Sequence, residues 1–528
     1  MDYQRKGGNV GARTFGAAIL LAGGRVAARL FSLLNLVVLA RMLSPTDYGI
    51  VALAFTVIAL IFAVCETGTG TMLMVEDDLS RPHLDTAFTI HVLRGAFVSV
   101  VLVAGAYPLA NLLETEALAP VFIALALTPL IGGFANPGIQ IYSRNLDFSR
   151  EVARDVSAAA IASLCAIAAA LYFRNYWALV VGAIASSIMQ ASFTYWRIPF
   201  RPRFGLSEWR SFASFGKWIM AERIIAQVTK GAPQIVFWAF STPAALGIYT
   251  IAKNLQSIPL SETLEPLKRS LLPGLATFGK DRDGLRRAFR KAQAVLAGFA
   301  LPIGVAMAVA APEIILVMVG PEWLSAIIIL QILSPFLALK AAIGPVTNIA
   351  LLSNGTKAIF TRAVAIACLT YPILAFGIWR SDLTGAAVAL AALAIIKLWL
   401  HAMMAKQMIG EPVFGLFGNA KRSFAAAICM AAAMLALPQI STLFVFDAGN
   451  PLLETAAIGL TKCAIGMVVY LGVHFALWFG TGKPDGFESA LIRYGTLGWT
   501  RARQILMDRR GGKASTQAAT ARRSTTDD

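Results

Sequence analysis

Arg25 and Arg29 stand four residues apart in an apolar stretch, about 40° apart around a helix and one turn from each other, so they share one face. Arg223, Gln227 and Lys230 recur at spacings of four and three in a second apolar stretch and draw a polar stripe along it. Two arginines near a bilayer centre cost about 5–7 kcal/mol on insertion scales, so such side chains turn to water, an acidic partner or an anionic ligand. The alternative is that Arg25 or Arg29 stretches to the interface. Either way the chemistry on offer is recognition of charge, with no nucleophile or general base arranged for bond making.

One offset of 198 residues maps Arg25 onto Arg223, Arg29 onto Gln227 and Ser32 onto Lys230. It also maps Pro45-Thr-Asp-Tyr-Gly49-Ile50 onto Pro243-Ala-Ala-Leu-Gly247-Ile248. A repeated module that carries charge into lipid points to a transporter of two related halves, because charge is tolerated in a cavity between them. Ten cations fall within apolar spans (Arg25, Arg29, Arg94, Lys217, Arg223, Lys230, Lys253, Lys340, Lys397, Lys462), against four acids (Glu66, Glu222, Glu262, Glu265). Pairing therefore leaves positive charge over for water or an anionic solute.

The expected cationic cavity comprises Arg25, Arg29, Arg223, Gln227, Lys230, Lys253 and Lys340. Glu66, Glu222, Glu262 and Glu265 are candidates for ion coupling or charge pairing, Glu66 with Arg25 or Arg29 and Glu222 with a local cation. Lys217 reads as an interfacial residue, and Lys397 and Lys462, in later spans, are not assigned to the site. Pro259 and Pro266 predict a kinked or unwound half-span around Glu262 and Glu265. The run Ile131-Gly-Gly-Phe-Ala-Asn-Pro137 is either a flexible gate or, as the better reading, a site of close helix packing. The five cysteines are scattered singly and the four histidines do not cluster, so neither a disulfide framework nor a metal site follows.

With 528 residues, 57% hydrophobic and only 14% charged, the chain is an integral membrane protein, since soluble proteins carry about 25% charged residues. About fourteen apolar runs reach the roughly 20 residues needed to span a bilayer. The expected organisation is a cytoplasmic segment 1–14, a six-helix bundle 15–198, a basic linker 199–213, a second six-helix bundle 214–405, two added transmembrane helices 406–480 and a basic, partly disordered tail 481–528. Residues 486–507 have the composition of an interfacial amphipathic helix. With the N-terminus inside, most of the 46 Lys and Arg fall in cytoplasmic segments and only Arg41, Arg174 and Arg380 in external loops. This asymmetry puts both termini in the cytoplasm and assigns the net charge of +17 to topology and anionic lipid, not nucleic acid.

Leu39-Ala-Arg-Met-Leu-Ser-Pro-Thr-Asp-Tyr-Gly49, the Glu66-Thr-Gly68 turn, Tyr142-Ser-Arg-Asn-Leu-Asp-Phe148, Gly247-Ile-Tyr-Thr-Ile-Ala252 and Gly320-Pro-Glu-Trp323 resemble, in order and spacing, the bacterial polysaccharide exporters of the Wzx type. These belong to the multidrug/oligosaccharidyl-lipid/polysaccharide exporter superfamily, and the resemblance runs from about residue 15 to 480. It implies an all-α fold with two six-helix bundles in a V plus two C-terminal helices, working by alternating access. It also implies a cargo: an undecaprenyl-pyrophosphate-linked oligosaccharide repeat unit, flipped across the bacterial inner membrane for exopolysaccharide, capsule or lipopolysaccharide synthesis. No cofactor is expected beyond coupling to a H+ or Na+ gradient, and the implied partners are membrane lipids, a polymerase and chain-length machinery.

Alternative readings are a lipid II flippase, whose cargo shares the polyprenyl pyrophosphate, and a cation-coupled drug exporter, which would want unpaired carboxylates in its cavity. A membrane-embedded polymerase or ligase needs a large catalytic loop, and no loop here much exceeds about twenty residues, so no enzyme is expected. Glu76-Asp77-Asp78, which superficially resembles a metal and nucleotide-sugar cluster, reads as a solvated charge run in a short loop.

Overall fold

The computed structural model describes residues 10–483, with breaks at 67, 76–79, 146, 197, 277–280, 343–344, 347–348, 350–355, 413–414, 416–417, 419 and 441–449, and then residues 486–489 and 491. No strand occurs among the described residues. The helices are α1 (Val10–Met42), α2 (Pro45–Val64), α3 (Thr69–Val75), α4 (Arg81–Leu112), α5 (Leu118–Leu125), α6 (Leu127–Gly133), α7 (Ile139–Arg144), α8 (Ser149–Phe173), α9 (Trp177–Phe193), α10 (Trp209–Phe240), α11 (Pro243–Ala276), α12 (Arg282–Val309), α13 (Ala311–Met318), α14 (Ala326–Ala342), α15 (Thr356–Ile409), α16 (Lys421–Ile440) and α17 (Pro451–Gly480).

Among the described residues seven stretches are long and apolar enough to cross a bilayer, and shorter apolar helices accompany them. Every predicted span has a helical counterpart, some of them broken: α2 with α3, α5 with α6 and α7, and α12 with α13. α15 holds two spans. It leaves helical geometry at Ser381 and Asp382, and its arms return antiparallel, since Gly377 lies against Gly385 near the turn and Arg362 donates to Gln407 Oε1 (2.8 Å) far from it.

The repeat seen in the sequence is also a repeat in space. Ser44 caps α2 by accepting from the Asp47 N–H (3.3 Å) while Asp47 Oδ2 accepts from the Ser44 N–H (3.0 Å), and Pro45 supplies the fixed φ suited to a first turn. In the second half Thr242 Oγ1 accepts from the Ala245 N–H (3.2 Å), again just ahead of a proline. These two helix starts meet head to head. A Cβ on Gly49 would lie 1.8 Å from the Pro243 carbonyl oxygen, and one on Gly247 would lie 1.8 Å from that of Pro45. Only hydrogen at both glycines lets the two backbones approach so closely, and the contact is reciprocal, as a pseudo-twofold axis requires.

Around this contact one hydrophobic cluster runs through both halves, from Leu39 and Ile50 to Phe237, Leu246, Trp323 and Ala386. Trp323, fully buried after the break that follows α13, donates from Nε1 to the Ala40 carbonyl (2.7 Å) and meets the Tyr48 ring edge-on at 5.3 Å. Arg41 caps the same junction by donating to the Val317 carbonyl. At the opposite end the clusters are separate. One gathers α3, α4, α7 and the start of α10 around Leu84 and Phe212; the other gathers α12, the end of α15 and Val346 and Ile349 around Phe289 and Ala405. Among the described residues the cluster shared by both halves thus lies at one end, and at the other the start of α10 packs on the first half while the second half keeps a cluster of its own.

α16 and α17 lie against α12 in a further cluster. Phe487, beyond α17, occupies the space beside Gly298 that a side chain would fill, and Tyr470 donates to the Gly298 carbonyl (2.8 Å). Next to it Glu488, fully buried, lies 2.9 Å from both His474 Nδ1 and Arg422 NH1. Burial works against the Glu488 charge, but His474, a backbone N–H and Arg422 outweigh it and hold the carboxyl below the usual carboxylate range.

Several expectations resolve here. α11 runs as unbroken helix through Pro259 and Pro266, so the predicted unwinding does not occur. Proline's fixed φ suits a helix, and in a membrane bundle its cost is one hydrogen bond. Gly133 sits against the His91 carbonyl of α4 and Gly95 against that of Pro129, so Gly133 of the 131–137 run serves close packing, while a Cβ on Gly132 would meet nothing within 4 Å. Of the predicted amphipathic stretch 486–507, residues 486–489 and 491 are described, with helix at 487–489. The remainder, the rest of the tail, residues 1–9 and Glu76, Asp77 and Asp78 lie outside the described residues.

Gly49→Ala and Gly247→Ala are each expected to reduce the yield of monodisperse protein and to lower its melting temperature in detergent, since overpacking against backbone costs about 1–3 kcal/mol or more. Gly472→Ala on α17, where nothing lies within 4 Å, is expected to melt as the wild type does. Wild-type melting in both seam variants would contradict the assigned contact.

Candidate functional site

Depth below the sealed end follows from helix geometry, at about 1.5 Å per residue. Lys230 lies ten residues back from the end of α10 and Lys253 six beyond Gly247 on α11. Lys340 and Lys397 lie well along α14 and the second arm of α15. All four therefore lie roughly 9–23 Å below the seal, Lys253 and Lys397 partly buried and Lys230 and Lys340 exposed.

These side chains form one electrostatic group. The charges acting on Lys253 are those of Lys230 and Lys340; Lys340 in turn acts on Lys397. His401, one turn from Lys397 on the same arm, feels Lys340, Arg362 and Lys397. The ammonium of Lys253 also lies 5.6 Å from the Tyr249 ring centroid. With the Gln234 amide turned so that its nitrogen donates to the Lys230 carbonyl (3.3 Å), its oxygen accepts from Lys253 Nζ (3.1 Å). Like charges within electrostatic reach repel one another, and a bound anion relieves that repulsion. No group of three or more metal-ligating side chains occurs among the described residues.

On the other half the charges are spoken for differently. Arg94 on α4 pairs with Glu66 (3.5 Å) and lies over the Phe62 ring at 5.4 Å, while Glu66 also accepts from the Gly68 N–H (3.0 Å). The expected partnership of Glu66 with Arg25 or Arg29 is therefore not formed: the break after α2 turns the carboxylate toward α4. Arg29 instead crosses to the other half, where its Nε donates to Glu262 Oε1 of α11 (3.0 Å). Arg25, partly buried one turn away, has no acidic partner among the described residues.

Of the residues predicted for the site, the structure brings Lys230, Lys253 and Lys340 together and joins Arg29 to Glu262. Gln227 lies on α10 one turn from Lys230 and is partly buried. Glu222, Arg223 and Glu265, like Lys217, lie outside the residues whose side chains are described. Lys397, Arg362 and His401 were not assigned in advance. The usable signal was the four-residue spacing of Lys397 and His401, which shares one helix face, but no local pattern placed that face beside α11. The count of intramembrane acids also changes. Glu313 of α13 is partly buried, and Lys462 of α17 donates to it, so this cation ties an added helix to the second half.

The family described as Polysaccharide biosynthesis protein matches residues 38–328, a stretch holding both hairpins of the repeat and the Trp323 junction. The chain belongs to this family. It is 22% identical over 388 residues to the lipopolysaccharide biosynthesis protein WzxC of Escherichia coli (strain K12), covering 72% of this chain and 78% of that one. It is 25% identical over 292 residues to the succinoglycan biosynthesis transport protein ExoT of Rhizobium meliloti (strain 1021), covering 54% of this chain and 58% of that one. Among solved structures, the lipid II flippase MurJ in its inward closed conformation superposes with a TM-score of 0.68 at 13% identity, over 88% of this chain and 99% of that one. The all-α, multi-pass membrane fold expected from the resemblance is therefore the one found.

Removing one charge from the group is expected to help the empty protein and harm the loaded one. Lys397→Gln should raise the melting temperature in detergent by about 1–3 °C, for roughly 1 kcal/mol of relieved repulsion, and shrink the rise produced by inorganic pyrophosphate. A lower melting temperature with an undiminished pyrophosphate response would remove Lys397 from the group.

Proposed function

We propose that this protein is a flippase that carries a polyprenyl-pyrophosphate-linked oligosaccharide repeat unit across the bacterial inner membrane by alternating access between its two halves. The observation that carries the reading is the cationic group Lys230, Lys253, Lys340 and Lys397, placed below the end at which both halves share one cluster. A pyrophosphate headgroup brings negative charge to this cationic group, while the polyprenyl chain stays in lipid and no bond of the cargo is made or broken. The names of the relatives, which speak of lipopolysaccharide biosynthesis and succinoglycan transport, support a saccharide cargo, and the likeness to a lipid II flippase supports the architecture.

With both termini in the cytoplasm, as the distribution of Lys and Arg favours, the sealed end faces outward and the cationic group is reached from the cytoplasmic leaflet. Arg25, Arg29 and Gln227 line the way in. A H+ or Na+ gradient supplies the driving force, and the flipped unit passes to a polymerase and its chain-length machinery.

Deletion of the gene is expected to abolish the surface polysaccharide while lipid-linked repeat units accumulate in the cytoplasmic leaflet, measured by extraction and mass analysis of the polyprenyl lipids. Unchanged surface polysaccharide in the deletion strain would refute the reading.

A further inference from the structure

The two sides of the seam differ in a way that the repeat makes measurable. The 198-residue offset relates α1 to α10 and α2 to α11, so the contact of α10 with α2 is the counterpart of that of α1 with α11. On one side α10 lies along α2, with Gly231 against the Thr56 methyl. On the other, α1 lies along α8, with Ser163 Oγ donating to the Phe31 carbonyl (3.0 Å), and meets α11 at few points. One of those points is Arg29–Glu262. The pair has no copy across the repeat, where Gln227 and Val64 stand in its place. It is therefore a feature of this side of the seam and not of the fold.

It is also an ion pair that crosses between the halves. Arg29 is 50% exposed and Glu262 29%, and neither is a buried charge that the fold must keep paired. Exposed pairs contribute little and exchange readily. Arg25 stands one turn away on the same face without an acidic partner among the described residues, so an anion that reached Arg29 would find a second guanidinium beside it. A carboxylate brings one charge, whereas a pyrophosphate brings more than one and suits the planar fork of an arginine.

We infer that Glu262 is a tethered surrogate for the cargo's anionic headgroup: it occupies Arg29 in the empty protein, and only a ligand of higher negative charge displaces it. This rests on the flippase reading and adds a specificity filter to it. Neutral lipid-linked sugars and monoanionic lipids do not dislodge Glu262, while a pyrophosphate does, and its arrival at Arg29 breaks the charged link between α1 and α11. Binding of the right headgroup and release of the halves are then one event.

The test is calorimetric titration of inorganic pyrophosphate into purified wild type, Glu262→Gln, Arg29→Gln and the double variant in neutral detergent, with Glu262→Asp as a variant that keeps the charge. Loss of the competitor is expected to tighten pyrophosphate binding in Glu262→Gln by about two- to fivefold, the worth of one exposed ion pair. Arg29→Gln should weaken binding, and Glu262→Gln should have no further effect in its background, which is the signature of two groups acting on each other. Glu262→Asp should stay closer to wild type than Glu262→Gln does. Weaker or unchanged binding in Glu262→Gln, or the same gain with and without Arg29, overturns the inference while leaving the flippase reading in place. Absence of pyrophosphate binding in wild type and in Glu262→Gln overturns both.

Discussion

Two glycine-to-carbonyl contacts, Gly49 on Pro243 and Gly247 on Pro45, set the geometry on which the rest depends. They bring the first turns of α2 and α11 closer than side chains allow and so fix where the halves meet. Capping places those turns: Ser44 and Asp47 close one helix start, and Asp47 Oδ1 also accepts from the Tyr176 N–H (2.9 Å) between α8 and α9. In the second half the carboxylate is on the other partner, where Asp382, at the turn of α15, accepts from Ser241 at the end of α10. The same tie is made in both halves with donor and acceptor exchanged.

From that seal the charges follow. The seal is made mainly of backbone, tryptophan and aliphatic side chains, with Arg41 and Asp47 bonded to backbone groups at its edge, and the cationic group lies below it. There the second half collects cations that face one another, and the first half balances its Arg94 with Glu66. The asymmetry places repulsion on one half and an exposed ion pair, Arg29–Glu262, between the two. An anion entering the gap lowers the first and exchanges with the second. Elsewhere charge is used for assembly: Lys462 binds α17 to Glu313, and Glu411, fully buried at the end of α15, accepts from Arg286 and Arg290 of α12.

Much of this was legible in the sequence where the physics is local or periodic. Hydropathy located the spans, and the shared Pro and Gly at one offset located the seam, because a proline at a helix start and a glycine one turn later leave the same mark in both halves. What the sequence left open were choices of partner. Glu66 was in reach of several arginines by any reading of α2, and only the break at Cys65–Gly68, which the four-residue motif does not aim, sends it to Arg94. Lys397 lies in a later span and is not assigned from the sequence, and its neighbourhood with Lys340 of α14 exists only after packing. Glu313 was overlooked for the opposite reason: its partner Lys462 belongs to the added helices, outside the repeat that guided the reading.

The central claim is that the Lys253 and Lys397 group holds the charged head of a lipid-linked saccharide during its passage. It is tested most directly by reconstituting the protein in liposomes with a defined polyprenyl-pyrophosphate-linked oligosaccharide in one leaflet and following its appearance in the other. Wild type should move this lipid faster than protein-free liposomes do, and Lys253→Gln/Lys397→Gln, folded and inserted to the same extent, should lose most of that activity. Transfer undiminished in the double variant, or wild type no faster than bare lipid, would contradict the account.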